Sequence, residues 1–259
     1  MIASKKQYLK NHLKRNTFIR NLFIDYLELK TFFKSQMSKN LDIYDHEIAE
    51  SLKVKGFAVI KSFFSFDDCQ RLIDSTNKIL QTKEAKLTNG DLRSFGAEQN
   101  NFIKKKYSAN KKIKHIMHNY LGTTPEFDST LAAKLTFVEG NLGSGQGWHR
   151  DSYTKQIKSI LYLSDVTEAK GPFEYIIGSN SKNRVKRDSK FLSSLHDGGY
   201  NGVRFNHEDI KLLCKEFDYK SELVTGNIGD LVIADTRGLH RGHPIINGER
   251  IALTNYYKD

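Results

Sequence analysis

A mainly β fold with flanking helices is what this 259-residue sequence predicts: an antiparallel sandwich or barrel preceded by an α-helical N-terminal extension. Three observations carry that prediction. Beyond Pro125, short runs rich in β-branched and aromatic residues recur between Gly, Asp and Asn turns. No long helical segments alternate with them, which disfavours a parallel βαβ sheet. Helical periodicity is concentrated instead in the first half of the chain.

The elements follow in order. Residues 1–40 read as helix, because Leu9, Leu13, Phe18, Leu22, Phe23, Tyr26, Leu27, Leu29 and Phe33 recur near the 3.6 period between basic side chains. We draw a basic amphipathic extension over residues 1–48 and a single β domain over 49–259. GFAVIKSFF, from Gly56, is a short β-type run. SFDDCQRLIDSTNKIL then offers Ser65 as N-cap, acids in the first turn and a helical apolar period. A second helix carries Ile116, Met117, Tyr120 and Leu121 and ends near Gly122. The predicted strands are STLAAKLTFVEG, IKSILYLSDV, FEYII, SELVTG, DLVIAD and ERIALTNYY. An insertion from Asn180 to Tyr219 carries loops and one short helix, DIKLLCKEF.

Composition narrows the function classes. Cys69 and Cys214 stand far apart with no paired ligands at zinc spacing, which excludes a disulfide framework and a zinc finger and points to a reducing compartment. The N-terminus has no apolar stretch for a signal-peptide core and no run approaches a bilayer span, so a cytoplasmic location is expected. Of the net charge of +11, residues 1–40 supply nine basic and two acidic side chains, or +7. The remaining residues are only mildly basic, so nucleic-acid binding by the whole fold is not implied. The basic helix has two open roles: contact with an anionic membrane or a partner, or packing on its own domain with a solvated basic face.

The chemistry rests on histidines. His-x-Asp can set an imidazole and a carboxylate on one side of a strand, and a distant His then completes a three-ligand metal site with open positions. The pair occurs twice. At His207–Asp209 the acid reads as a helix cap or first-turn residue. His149–Asp151 follows the turn-rich GNLGSGQGW and leads into the strand KQIKSILYLSD, where a barrel site would sit.

GQGWHRDSYTKQIKSILYLSDVTEAKGPFEYIIGSN, followed by GDLVIADTRGLHRG and ERIAL, resembles the phytanoyl-CoA dioxygenase (PhyH-like) superfamily of iron(II)- and 2-oxoglutarate-dependent oxygenases, over roughly residues 50–259. The resemblance implies a double-stranded β-helix core (jelly-roll, cupin-like), with iron(II) held by His149, Asp151 and His240. His243 is the nearest competitor for the third position; His240 is preferred because it follows LVIAD in a DTR-x-x-H pattern. Arg250 matches the arginine that takes the distal carboxylate of 2-oxoglutarate, a role suited to a guanidinium fork. Lys158, Thr136 and Lys134 occupy positions where relatives contact the cosubstrate. The implied reaction couples decarboxylation of 2-oxoglutarate with oxygen, giving succinate and carbon dioxide, to oxidation of a substrate C–H bond, with ascorbate as an ancillary reductant. Retention of Asp151 favours hydroxylation or desaturation over halogenation.

Two positions depart from the family pattern. Gly242 stands where many relatives have Ser or Thr, and Asn180 where His is common. Trp148, Phe173 and Arg237 border the motifs as candidate pocket or structural residues; whether Arg93, Arg237 or Lys104 reaches the substrate is open. Two other functions were weighed. One is a non-catalytic jelly-roll binding module docking through the basic helix, against which the full ligand set argues. The other is an AlkB-like nucleic-acid demethylase, whose second arginine, six residues after the first, is here Tyr256. The expected substrate is a small molecule or activated metabolite, with an anionic one favoured by a basic pocket.

Overall fold

The structure, a computed structural model, describes residues 17–35, 43–196 and 202–258. In chain order it contains helices α1 (Thr17–Ser35) and α2 (Ile43–Val54), strand β1 (Phe57–Ile60), α3 (Phe66–Leu80), β2 (Lys86–Thr88), β3 (Asp91–Phe95), α4 (Lys111–Leu121) and β4 (Glu126–Thr136). There follow β5 (Ile157–Tyr162), β6 (Phe173–Ile176), α5 (Lys182–Leu195), α6 (His207–Phe217), β7 (Ser221–Val224), β8 (Leu231–Asp235), β9 (His240–Gly242) and β10 (Glu249–Lys258). The strands form a seven-stranded sheet, β1-β8-β5-β10-β4-β3-β2, and a three-stranded sheet, β7-β6-β9. Every pairing is antiparallel. This is the two-sheet jelly roll that the sequence implied.

Strand periodicity places two cores on the two faces of the large sheet. From β8, Leu231 and Ile233 pack with Leu72 of α3 and Ile113 and Met117 of α4. Val232 and Ala234, one residue out of phase, pack with Phe173 and Tyr175 of the small sheet. Both faces are covered, so β8 is apolar from Leu231 to Ala234 and buried end to end. The helices obey their end signals: Ser65 accepts from Asp68 N, and Gly122 closes α4 at φ +75°. Asp209 completes a capping box with Asn206, the N-cap of α6, which accounts for the second His-x-Asp pair.

Three features differ from expectation. The hairpin β2–β3 turns at Asn89-Gly90, both with positive φ, an Asn-Gly hairpin signal that the strand assignment overlooked. The insertion holds a second helix, α5, whose buried face includes Asp188 and Ser189 beside Val185 and Leu192, so the apolar period is broken. Helix α2 runs through the boundary drawn at residue 48 and packs against β1 and α4. Leu9 and Leu13 lie outside the described residues. Helix α1 docks on the domain by Arg20, whose guanidinium donates to Tyr153 Oη at 3.0 Å, and by Ile24, which packs with Tyr153 and Val185. Asp25 bridges Lys182 and Lys186 of α5. Phe18, Leu22, Tyr26 and Leu29 are exposed.

Candidate active site

His149 and His240 face one another as an antiparallel bridge between the segment before β5 and the start of β9. Each donates its amide to the other's carbonyl, at 2.9 and 3.0 Å. Opposed residues of such a pair project to one side, so the imidazole centroids stand 4.3 Å apart. His149 and Asp151 lie ahead of β5, at the strand mouth expected; the bridge sets the imidazoles, and Asp151 is fixed by its own amide to Thr236 O at 2.9 Å. Ligand atoms of His149, Asp151 and His240 all lie within 4.8 Å of one another.

This donor set fits iron(II). His149 Nδ1 meets Gly147 O at 2.8 Å and His240 Nδ1 meets Gly238 O at 2.9 Å. A carbonyl can only accept, so both protons sit on Nδ1 and both Nε2 lone pairs are turned to the centre. His240 Nε2 is buried with no hydrogen-bond partner. Burial, with Lys158 nearby, pushes the His149 imidazole down to about 4, and burial beside His149 holds His240 well below the ordinary value. Both are neutral, as ligation requires. Burial opposes ionisation of Asp151, but the Lys158 ammonium beside it holds its carboxyl well below the usual range.

His149 and His240 border a cleft that extends past Phe173, Ile160 and Ala252 to Arg250. The cavity it encloses is about 80 Å³. Arg250 is buried there, donates to Gly171 O and leaves Nε without a partner. Residues 52–252 match the family described as phytanoyl-CoA dioxygenase (PhyH). The chain belongs to the phytanoyl-CoA dioxygenase family. Membership carries its class of chemistry, that of an iron- and 2-oxoglutarate-dependent oxygenase.

Solved structures share the fold of this dioxygenase-family chain. The epimerase SnoN, crystallised with Fe3+, alpha-ketoglutarate and nogalamycin RO, is 12% identical over 83% of this chain and 84% of its own, with a TM-score of 0.63. HygX from Streptomyces hygroscopicus, with nickel, 2-oxoglutarate and hygromycin B, is 12% identical over 84% and 87%, with a TM-score of 0.57. EctD from S. alaskensis, with bound Fe, is 15% identical over 86% and 80%, with a TM-score of 0.63. No curated protein matches the sequence.

Of the three residues named for the cosubstrate, two point away from the cleft. On β4, Leu131, Ala133 and Leu135 share the cleft side of the sheet, where Leu131 and Ala133 line the cleft. Lys134 and Thr136 therefore point to the opposite face: Lys134 pairs with Glu249 at 2.7 Å and Thr136 Oγ1 donates to Gly90 O at 3.3 Å. Lys158 does line the cleft, but its Nζ lies 2.6 Å from Asp151 Oδ2 and 4.6 Å from the centre of the Tyr256 ring.

The neighbouring candidates also separate. His243 leaves the triad for Glu174, at 2.8 Å. Trp148 is a core residue beneath the Arg241 guanidinium, and Arg237 lies 3.6 Å from Asp235 in a different groove. Asn180 donates to Leu52 O at 3.0 Å, a structural contact. Phe173 lines the cleft. So does Arg93, held by Asp91 on β3, a residue the sequence left open; the Asn-Gly turn was the signal that could have placed it. Gly242 departs from the family pattern because the loop at Ser144 runs against it: a Cβ there would stand 2.7 Å from Ser144 Cβ. Ser144 itself lines the cleft.

Proposed function

We propose that this chain oxidises a C–H bond of a small anionic metabolite at a centre held by His149, Asp151 and His240, with Arg250 binding the distal carboxylate of 2-oxoglutarate. The observation that carries the reading is the pair of Nε2 lone pairs turned to one carboxylate, in a cleft that ends on a buried arginine. When bound, iron(II) with 2-oxoglutarate and oxygen supplies the oxidising power and leaves succinate and carbon dioxide as co-products.

The protein's part is placement. Arg250 stays protonated despite a burial that lowers its basicity, and offers two parallel donors to a carboxylate. Arg93 adds a second cation facing the same cleft, which favours a dianionic cosubstrate or an anionic substrate. Phe173, Ile160 and Ala252 keep the space between the arginine and the triad apolar, so that charge at either end is weakly screened. The Gly147 and Gly238 carbonyls keep the imidazoles in the ligating tautomer.

The test is oxygen-dependent succinate formation from 2-oxoglutarate by the iron-loaded protein, against a panel of carboxylated and phosphorylated metabolites, with Asp151→Ala as control. We expect turnover with at least one panel member and none in the control; an iron-loaded protein that never consumes 2-oxoglutarate would sink the proposal. Unpaired Cys69 and Cys214 support a cytoplasmic location. Peripheral contact of residues 1–40 with an anionic membrane or a protein is a second proposed role, supported by exposed Phe18, Leu22, Tyr26 and Leu29 in a basic segment.

A further inference from the structure

The Lys158 ammonium occupies one oxygen of the carboxylate in the triad. Its Nζ is 2.6 Å from Asp151 Oδ2, which also stands 3.9 Å from His240 Nε2, while Oδ1 stands 3.8 Å from His149 Nε2, so both oxygens face the imidazoles and the ammonium competes for Oδ2. The lysine is held there. Its backbone is paired on both sides, with Ala234 of β8 and Tyr256 of β10, its side chain is 9% exposed, and the Tyr256 ring packs against the ammonium. Retreat to solvent would mean leaving a cation–π contact and an ion pair together.

Coordination arithmetic gives this contact a purpose. A carboxylate can ligate an ion through one oxygen or through both. Two imidazoles, one carboxylate oxygen and the two chelating oxygens of 2-oxoglutarate leave an octahedral ion one position. A carboxylate that ligated through both oxygens would close that position. We propose that Lys158 is a positioning residue that keeps Asp151 a one-oxygen ligand, and so preserves the position that dioxygen needs. The inference rests on the iron reading above and reassigns Lys158 from a cosubstrate contact to a clamp on the ligand.

The experiment uses the full-length protein loaded anaerobically with Fe(II) and 2-oxoglutarate, with nitric oxide as the oxygen surrogate and its binding followed by electron paramagnetic resonance. Lys158→Met keeps the length of the side chain without its charge. The expected result is Fe(II) and 2-oxoglutarate affinities within about threefold of wild type but nitric oxide affinity reduced roughly tenfold, with substantial recovery in Lys158→Arg. Lys158→Gln is the second variant should the methionine disturb folding. Nitric oxide affinity unchanged in the neutral variants overturns the proposal. If that result comes with a loss of more than tenfold in 2-oxoglutarate affinity, Lys158 is a cosubstrate contact after all. Loss of Fe(II) binding from both neutral variants also overturns it, as a merely structural role. Wild-type protein that takes up no Fe(II) would instead sink the metal assignment itself.

Discussion

Gly145 lies at φ +85° beside the His149 imidazole, and a Cβ added there would come within 2.5 Å of His149 Cε1. Left-handed backbone at a residue with a side chain costs about 1 kcal/mol, and the imidazole would have to move as well. Gly145→Ala should therefore fold with a modest loss of thermal stability and bind Co(II) or Ni(II) roughly tenfold more weakly, measured by isothermal titration. Unchanged metal affinity would mean that the glycine loop does not set the ligand. At the other end of the cleft, Arg250→Lys keeps charge but loses the fork. We expect KM for 2-oxoglutarate to rise by roughly tenfold to a hundredfold with a smaller change in kcat, in steady-state succinate assays. An equal fall in both kcat and kcat/KM would contradict a carboxylate-binding role. That His149, Asp151 and His240 would lie together was legible in the sequence because the motifs that carry them restrict residue type and order. Lys134 and Thr136 were misplaced because membership of one strand fixes only a shared parity, and the face they share is turned away from the cleft. Arg93 was unassignable until its hairpin was known.

Secondary structure shows the same division. Strand β8 could be read from LVIAD because both its faces meet apolar layers, whereas α5 could not be read because its buried face uses Asp188 to accept from Tyr219 and from Arg150. A polar partner inside the fold erases the apolar period that marks a helix. The turn into β8 carries a testable contact. Asp230 accepts from Ser62 N at 2.9 Å, from Asn227 N at 2.8 Å and from Lys61 Nζ at 2.8 Å, tying the end of β1 to the turn before β8. Burial raises its pKa, but these donors outweigh burial and hold the carboxyl below its ordinary 3.8. The folded pKa is depressed, so the contribution to stability is present above the unfolded value and is lost as pH falls through the folded one. Asp230→Asn should lower stability at pH 7 by about 1–3 kcal/mol and flatten the acid limb below pH 4, checked by urea denaturation across pH. An acid limb as steep as in wild type would rule out Asp230 as its source.

Across the whole molecule, one basic residue of the N-terminal segment, Arg20 of α1, stands close to the chemistry in space. Arg20 and Ile24 of α1 rest on Tyr153, two residues beyond Asp151, and Asp25 holds α5. Removal of residues 1–40 should therefore lower Tm by several degrees and weaken metal binding, because Tyr153 and Val185 lose their cover. A truncated protein with wild-type Tm and turnover would show that α1 serves contacts outside the domain only. The mutual hydrogen bonds of His149 and His240 have a further consequence, for the order of assembly. The two residues belong to segments far apart in the chain and meet only when the small sheet has closed over the large one. An ion cannot gather its ligands from an unfolded chain in which that loop is still open, so it enters last and locks what is already built. Chelation should accordingly speed unfolding much more than it slows refolding, making metal supply a determinant of how long each molecule survives.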